Sequence, residues 1–293
     1  MHEDSGDDKM KQVIINADDF GIHESINNGI LAGHRHGAIS STTIIAAGEA
    51  FDHAIKLAAA APALGIGVHL TLVSERSVAS PEKVASLVDA EGRLPRLYPQ
   101  FLKQLLQGSI SLAHIRYELT AQIEKVLAAG IQPTHLDSHQ HMHVVPGVID
   151  IALDLAKRYG IRAIRIPDEP LFFFGGYRTS VGRFIGRGGL SALASLARRK
   201  AARKGLAVPQ HFYGMLAGGH MIEQNLLAIM AQLPAGTSEI MMHPGADDAA
   251  MVQHYGWHFN WQAELAAVTG EKLKNQLAVQ GIKLISFREL IHD

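Results

Sequence analysis

Two adjacent carboxylates, Asp18 and Asp19, follow the apolar run Val13-Ile14-Ile15 within the stretch Asn16-Ala17-Asp18-Asp19-Phe20-Gly21. The run reads as a buried strand. Like charges at the end of such a strand repel one another and are costly to bury, so packing alone does not account for them. A helix start is the plain alternative, because Asp favours turns and helix caps. The chemical alternative is a divided site, in which one aspartate holds a metal ion and the other handles protons.

That division needs further ligands, and the chain has 17 histidines. Several fall where strand patterns end. His69 follows Gly65-Ile66-Gly67-Val68, one run carries His135, Asp137, His139, His141 and His143, and His243 lies in Met241-Met242-His243-Pro244-Gly245. Arg165, Asp168 and Glu169 close another strand pattern. Two neutral imidazoles and a carboxylate make a three-ligand set for a divalent ion, with an open position where water is acidified. Asp19, His69 and one of His139, His141 and His143 supply such a set. Asp18 then serves to take a proton from water, and a histidine on the opposite wall to give one to a leaving group. This is metal-assisted hydrolysis. Plainer roles stand beside it. His69 serves equally as a structural hydrogen-bonding group, Asp137 as a helix cap or the partner of an imidazole, and Arg165 as the ion-pair partner of Asp168 or Glu169. In an extended segment His139, His141 and His143 share a face, whereas in a turn they scatter. His141 and His143 then read as contacts to a ligand's partner or to substrate. His23, His34, His36, His53 and His114 fall on helix patterns and read as surface or packing residues.

Strand and helix patterns alternate along the chain. Strand patterns cover 13–15, 39–46, 66–72, 134–138, 161–166, 212–216, 239–242 and 283–286. Helix patterns cover 23–36, 51–61, 114–129, 146–159, 191–204, 221–233 and 264–280, with Pro146 in a first turn and Gly160 just past an end. Residues 73–112 read as a long loop with short helices, a length that usually serves a site. Alternation of this kind implies a parallel sheet of the α/β class, a (β/α) barrel-like fold of seven or eight strands, TIM-barrel-like and distorted. In such barrels active sites lie at the C-terminal strand ends. No Gly-rich phosphate fingerprint follows a strand, since Gly65-Ile66-Gly67 precedes one.

Composition bounds the partners. The chain has 293 residues and no cysteine, which excludes disulfides, thiolate nucleophiles and Cys-ligated zinc. Residues 1–10 are acidic and polar and read as a disordered N-terminus, neither signal peptide nor anchor. Residues 11–293 read as a single catalytic domain with a basic insertion at 171–210. The formal net charge is −1, yet Leu171 to Gln210 contains no acid and carries Arg178, Arg183, Arg187, Arg198, Arg199, Lys200, Arg203 and Lys204. The insertion reads as a cationic helix at 191–204 with Leu193, Leu196 and Ala197 on one face, following Phe172-Phe173-Phe174. It suits peripheral contact with an anionic membrane surface, or a solvated insertion, or packing in a homodimer. Nucleic acid is a poor fit, because the rest of the chain is acidic and no recognition motif is present. A soluble cytoplasmic protein is expected.

The motifs Asn16-Ala17-Asp18-Asp19-Phe20-Gly21, Gly67-Val68-His69, Pro133-Thr134-His135-Leu136-Asp137-Ser138-His139 and Met242-His243-Pro244-Gly245 resemble those of the YdjC-like carbohydrate deacetylases. The resemblance runs from about Gln12 to Glu289. It is greatest to the branch associated with hopanoid lipid biosynthesis, through Gln140-His141-Met142-His143 and the region from Trp257 to Trp261. The resemblance implies a barrel-like deacetylase that removes the acetyl group from an N-acetylated amino sugar. It implies one divalent ion, Mg2+ or Zn2+, on Asp19, His69 and His139, with Asp18 as base, His243 as general acid and Arg165 orienting Asp18. Asp137, His141, His143 and Trp257 stand as residues around the ligands or the substrate. The substrate it suggests is an N-acetylglucosaminyl hopanoid, with a chitooligosaccharide such as diacetylchitobiose as the alternative. Readings from other classes are a metal-dependent phosphoesterase, which would favour more carboxylates and two metals, and a sugar- or lipid-binding protein with a structural metal.

Overall fold

The computed structural model describes residues 10–170, 172–173 and 181–291. The acidic segment 1–9, Phe174 and Arg178 lie outside the described residues. Among the described residues there are eight strands: β1 (Lys11–Phe20), β2 (Ser41–Ile44), β3 (Gly65–Leu70), β4 (His135–Ser138), β5 (Ala163–Ile164), β6 (His211–Tyr213), β7 (Gly236–Met242) and β8 (Lys283–Leu284). The helices are α1 (Glu24–His36), α2 (Phe51–Ala59), α3 (Tyr98–Leu106), α4 (Leu112–Ala128), α5 (Val148–Arg158), α6 (Val181–Arg203), α7 (Glu223–Met230), α8 (Asp248–Tyr255), α9 (Trp261–Thr269) and α10 (Glu271–Val279).

The strands form one curled sheet in the order β5-β4-β3-β2-β1-β7-β6, and their pairings are parallel. A parallel bridge between Ala163 and Ala207 links the β5 edge to the segment entering β6 and draws the two ends of the curl together. β8 is not a full stave of the barrel. It pairs with β1 only at Gln12 and Val13, below the point where β2 begins to pair at Asn16.

The two faces of β1 explain the layout. Val13, Ile15 and Ala17 join the main apolar cluster with Ile26, Ile30, Val268 and other helix residues. Ile14 belongs instead to a small separate cluster with Ala163, Ile285 and Phe287. Because strand side chains alternate, Asn16 and Asp18 continue the Ile14 face into the concave interior. The floor of that interior is closed by His135, stacked on Phe287 with ring centroids 3.6 Å apart and planes at 8°. Burial pushes the His135 imidazole down to about 3, so it is a neutral packing group. Gly67 makes room for it, since a Cβ there would lie 2.6 Å from the His135 ring.

Several elements differ from the sequence patterns. α5 begins at Val148 after Gly147, whose φ is 84°, so Pro146 precedes the helix rather than opening it. The 264–280 pattern is two helices: α9 starts earlier, at Trp261, and the extended backbone of Gly270 separates it from α10. α8 had no apolar stripe to reveal it, because Met251 is its one buried residue. α6 buries Ala194, Ala197 and Ala201, while Leu196 is 46% exposed. Its cations pair with acids of the body: Arg198 with Asp168, Lys200 with Asp150 at 2.7 Å, and Lys204 with Asp154 at 3.0 Å. The segregated charge is therefore partly a seam between α6 and the rest of the fold. No described helix is long and apolar enough to cross a membrane.

One close approach positions the loop that bears His243. Gly29 of α1 faces Gly245, where an added Cβ would lie 2.5 Å from Gly245 Cα and 2.8 Å from its nitrogen. Backbone cannot yield as a side-chain tip does. Gly29→Ala should therefore cost about 1–3 kcal/mol by overpacking, read as a lower denaturant midpoint at unchanged slope. An unaltered midpoint would show that α1 does not set this loop.

Candidate active site

β1 continues through both aspartates rather than ending at Asp18. Its register against β2 shifts between Ala17 and Phe20, and Asp19 takes a left-handed φ of 68°. A regular strand would send adjacent residues to opposite faces. The bulge cancels that alternation, and both carboxylates line the same pocket. Asp19 Oδ1 lies 3.0 Å from His139 Nδ1 and 3.4 Å from His69 Nε2. Burial opposes ionisation of Asp19, but the His139 and His69 imidazoles outweigh it and hold the carboxyl well below its usual range.

Beneath this group runs a continuous polar network. His69 Nδ1 lies 2.7 Å from Asp137 Oδ1, and Thr43 donates to Asp137 Oδ2 at 3.0 Å. An ionised carboxylate only accepts, so Nδ1 carries the proton and Nε2 is turned toward Asp19. Burial disfavours charge on His69, yet Asp137, Asp18 and Asp19 raise it to about 10. The pocket floor thus strongly favours a positive charge. Arg165, wholly buried, donates Nη1 and Nη2 to the two oxygens of Asp18 at 2.7 Å each. It also reaches Asp137 Oδ2 at 2.8 Å and Glu239 Oε1 at 2.7 Å. Asn16 donates to Asp18 Oδ1 at 2.9 Å. The plainer alternative, a pairing of Arg165 with Asp168 or Glu169, does not occur. Asp168 binds Arg198, and Glu169 accepts the backbone N–H groups of Gly214, Met215 and Leu216.

The three-histidine run is a 3₁₀ turn, His139–Val144, with left-handed Gln140 and His141. Its imidazoles scatter accordingly. His139 reaches Asp19. His141 lines the pocket and packs edge-on against Phe212, and burial holds it well below its usual pKa. His143 turns away from the pocket. Its Nε2–H donates to the Arg165 carbonyl at 2.8 Å, and its Nδ1 faces Ser138 Oγ at 2.5 Å. Burial pushes His143 down to about 4, and it supports the backbone of Arg165.

His243 lines a cavity of about 420 Å³, together with Asp18, Asp19, His69, His139, His141 and Trp257. Buried Glu264 accepts the His243 N–H at 2.5 Å and the Met221 N–H at 2.9 Å, tying two loops to α9. Burial raises the Glu264 carboxyl. Across the connection from α8 to α9 exposure alternates, and Tyr255, Trp257, Phe259 and Trp261 are less exposed than Gly256, His258 and Asn260. Trp257 stacks on His139 with centroids 5.6 Å apart, and Phe259 meets His243 at 5.3 Å. The sequence reading missed His220, His258 and Phe259, which line the cavity. It also missed Asn16, Thr43 and Glu239, which share strand faces with Asp18, His69's neighbours and Met241. Glu75, on the loop after β3, was missed too. It is 8% exposed, and burial raises it to about 7 against the attraction of His139.

Asp19, His69 and His139 offer ligand atoms that all lie within 4.8 Å of one another. One carboxylate oxygen and two imidazole nitrogens suit a divalent ion. The carboxylate on His69 Nδ1 is the outer partner such a ligand uses to fix its tautomer, and His139 Nε2 is a buried atom without a partner. The donor set therefore fits a metal. A second grouping, Asp18, His69 and Asp137, shares His69 with the first. Its carboxylates are already engaged by Arg165 and Thr43. Among the described residues this is one site, not two.

A family model described as YdjC-like protein matches residues 12–279. A carbohydrate deacetylase of Brevibacillus brevis is 33% identical over 282 residues, covering 95% of this chain and 99% of its own. A chitooligosaccharide deacetylase of Klebsiella pneumoniae is 29% identical, covering 95% and 98%. Among solved structures, an Enterococcus faecalis V583 protein named for cellobiose-phosphate cleavage superposes with a TM-score of 0.72 at 25% identity, covering 96% and 99%. The family model spans nearly all of the chain, and the motifs that build the pocket are the ones that carried the resemblance. The chain belongs to the YdjC-like protein family.

Proposed function

We propose that this protein is a metal-dependent carbohydrate N-deacetylase that hydrolyses the acetamide of an N-acetylated amino sugar. The observation that carries the reading is the gathering of Asp19, His69 and His139 within 4.8 Å, in one cavity with Asp18 and His243. The deacetylase names of the relatives agree with it. A two-metal phosphoesterase fits less well, because both candidate ligand groupings draw on His69.

A divalent ion on Asp19, His69 and His139 would supply Lewis acidity toward water and an amide carbonyl. The chain's own residues do the rest. Asp18 is aimed by the two-pronged grip of Arg165 and by Asn16. Those bonds use three of its roughly four lone-pair sites, and the remaining one takes the proton of the attacking water. His243, held through its backbone by Glu264, gives a proton to the departing amine. His69 is kept in one tautomer by Asp137. Trp257 and Phe259 offer apolar surface to a sugar ring and keep bulk water from the reacting carbonyl.

For the acceptor we infer an N-acetylglucosaminyl hopanoid. Phe172 is 88% exposed at the start of the basic insertion, and Leu196, Arg199 and Arg203 face outward on α6. These support docking at a lipid surface, with the substrate presented from an anionic membrane. A chitooligosaccharide is the second reading, favoured by the names of several relatives. Mass spectrometry after incubation with each substrate decides between them: loss of one acetyl group from the hopanoid but not from diacetylchitobiose is expected. The reverse result selects the oligosaccharide, and no acetate from either overturns the deacetylase reading.

Asp18→Asn should retain bound metal and lose roughly 10²–10⁴-fold in turnover, the usual worth of a positioned base. Unimpaired turnover would remove Asp18 from the proton transfer. His69→Ala should lose its metal, read by elemental analysis of the purified protein. Full metal content in that variant would break the ligand assignment.

A further inference from the structure

The bulge at Asp19 runs straight into a tight turn. Asp19 has a left-handed φ of 68° and Gly21 a φ of 92°, and the Asp19 carbonyl accepts the Ile22 N–H at 3.1 Å. A residue other than glycine in the left-handed region costs energy, and it persists only where its surroundings over-determine it. Two backbone bonds dock the turn on the connection after β2. The Phe20 carbonyl accepts the Ile45 N–H at 2.7 Å, and the Gly21 carbonyl accepts the Ala50 N–H at 2.9 Å. Tyr255 donates its hydroxyl to the Ile22 carbonyl at 3.2 Å. The shortest side-chain bond to the turn comes from α1, through Asn27.

Asn27 is wholly buried. Its Oδ1 accepts the Gly21 N–H at 2.6 Å, and its Nδ2 donates to the Ala50 carbonyl at 3.0 Å and to His53 Nδ1 at 3.1 Å. Both amide protons and the carbonyl oxygen are therefore engaged. With the Ala50 to Gly21 backbone bond these contacts close a ring, from Gly21 to Asn27, from Asn27 to Ala50 and from Ala50 back to Gly21. A buried amide is costly unless it is paired, and an apolar side chain here would leave the Gly21 N–H without this acceptor. The same helix end grips the loop after His243. Ser25 Oγ accepts the Asp247 N–H at 2.7 Å, and the Ser25 carbonyl accepts the Ala246 N–H at 3.0 Å. The start of α1 thus holds two loops of the site at once.

We propose that Asn27 is a positioning residue for Asp19, fixing the turn so that the Asp19 carboxylate is held toward His69 and His139. This rests on the reading that those three residues hold a divalent ion. The left-handed Asp19 is what sets its carboxylate in the same pocket as Asp18, against the alternation of a regular strand. Relaxing the turn toward regular strand geometry would carry that carboxylate away from the two imidazoles. Loss of the Asn27 acceptor leaves the Gly21 N–H unpaired and loosens the turn from the α1 side. Metal affinity then falls although no ligand has been removed.

The test is zinc affinity, measured by competition with a chromophoric chelator, beside the thermal midpoint of the metal-free protein. The proteins compared are the wild type, Asn27→Ala, Asn27→Asp and Thr237→Val. Asn27→Ala should bind zinc roughly 10–100-fold more weakly. Asn27→Asp keeps an acceptor for the Gly21 N–H, so its affinity should stay close to that of the wild type while burial of a carboxyl lowers its midpoint. Thr237→Val removes the 2.7 Å bond to Gln12 at the far end of β7, and should lower the midpoint without changing affinity. If Asn27→Ala does not fold, Asn27→Ser, whose side chain is one atom shorter than that of Asn, takes its place. An affinity within twofold of wild type for the Ala or Ser variant overturns the proposal and leaves the metal reading standing. So do affinities that simply follow the midpoints across the variants. A wild type that binds no zinc overturns the metal reading and this proposal together.

Discussion

Inside the curl of the sheet, one guanidinium faces an excess of carboxylates. Arg165 touches Asp18, Asp137 and Glu239 within 2.8 Å, and Asp19 lies just above them. A buried charge is tolerated only when it is paired and its hydrogen bonds are met. Arg165 meets that condition for Asp18 and Asp137, and incompletely for Glu239. Burial, with Asp137 and Asp18 adding to it, raises Glu239 to about 7 despite Arg165, and its second oxygen has no partner. The same surplus of negative charge lifts His69 to about 10. The proposed cation on Asp19, His69 and His139 would offset part of that negative charge. Removing one partner from such a network typically costs about 3–5 kcal/mol, so the fold and the chemistry depend on the same contacts.

A second regularity surrounds the network. Buried carboxylates on or next to the framework collect the backbone N–H groups of the loops above it. Glu118 takes Val78 and Ala79, Glu169 takes Gly214, Met215 and Leu216, and Glu264 takes Met221 and His243. Charge-assisted bonds of this type are stronger than neutral ones and fix direction. They turn loops that lack regular structure into rigid mounts for Glu75, for the segment after β6 and for the proposed proton donor. The loops at the C-terminal strand ends thus inherit the stiffness of the helices outside the sheet.

Much of this was legible in the sequence, because strand periodicity and residue type point the same way. Asp18, His69, Asp137 and His243 each close an apolar run, and a parallel sheet brings such ends together. Asn16, Thr43 and Glu239 were legible in principle, since each sits two residues from a site residue or within a strand's inward row. They were passed over because they lie one layer below the strand ends. The bulge at Asp19 was not legible. It depends on the register of β2 against β1, a tertiary fact. The same holds for His143, whose direction follows from two left-handed residues, Gln140 and His141, that no local rule favours. Glu75 lay in a stretch without periodicity, and only the clasps from α4 give it a place. The cationic α6 was visible as composition, but its pairing with Asp150, Asp154 and Asp168 needed the packing of α6 on α5.

The proposed function depends on Asp19, His69 and His139 forming one imidazole-rich ion site above the Arg165 network. X-ray absorption at the zinc edge of the loaded protein tests that most directly. Two imidazole nitrogens per ion are predicted, with oxygen atoms completing the shell, and one imidazole after His139→Gln. A shell of oxygen alone, or an imidazole count that the substitution leaves unchanged, would contradict it.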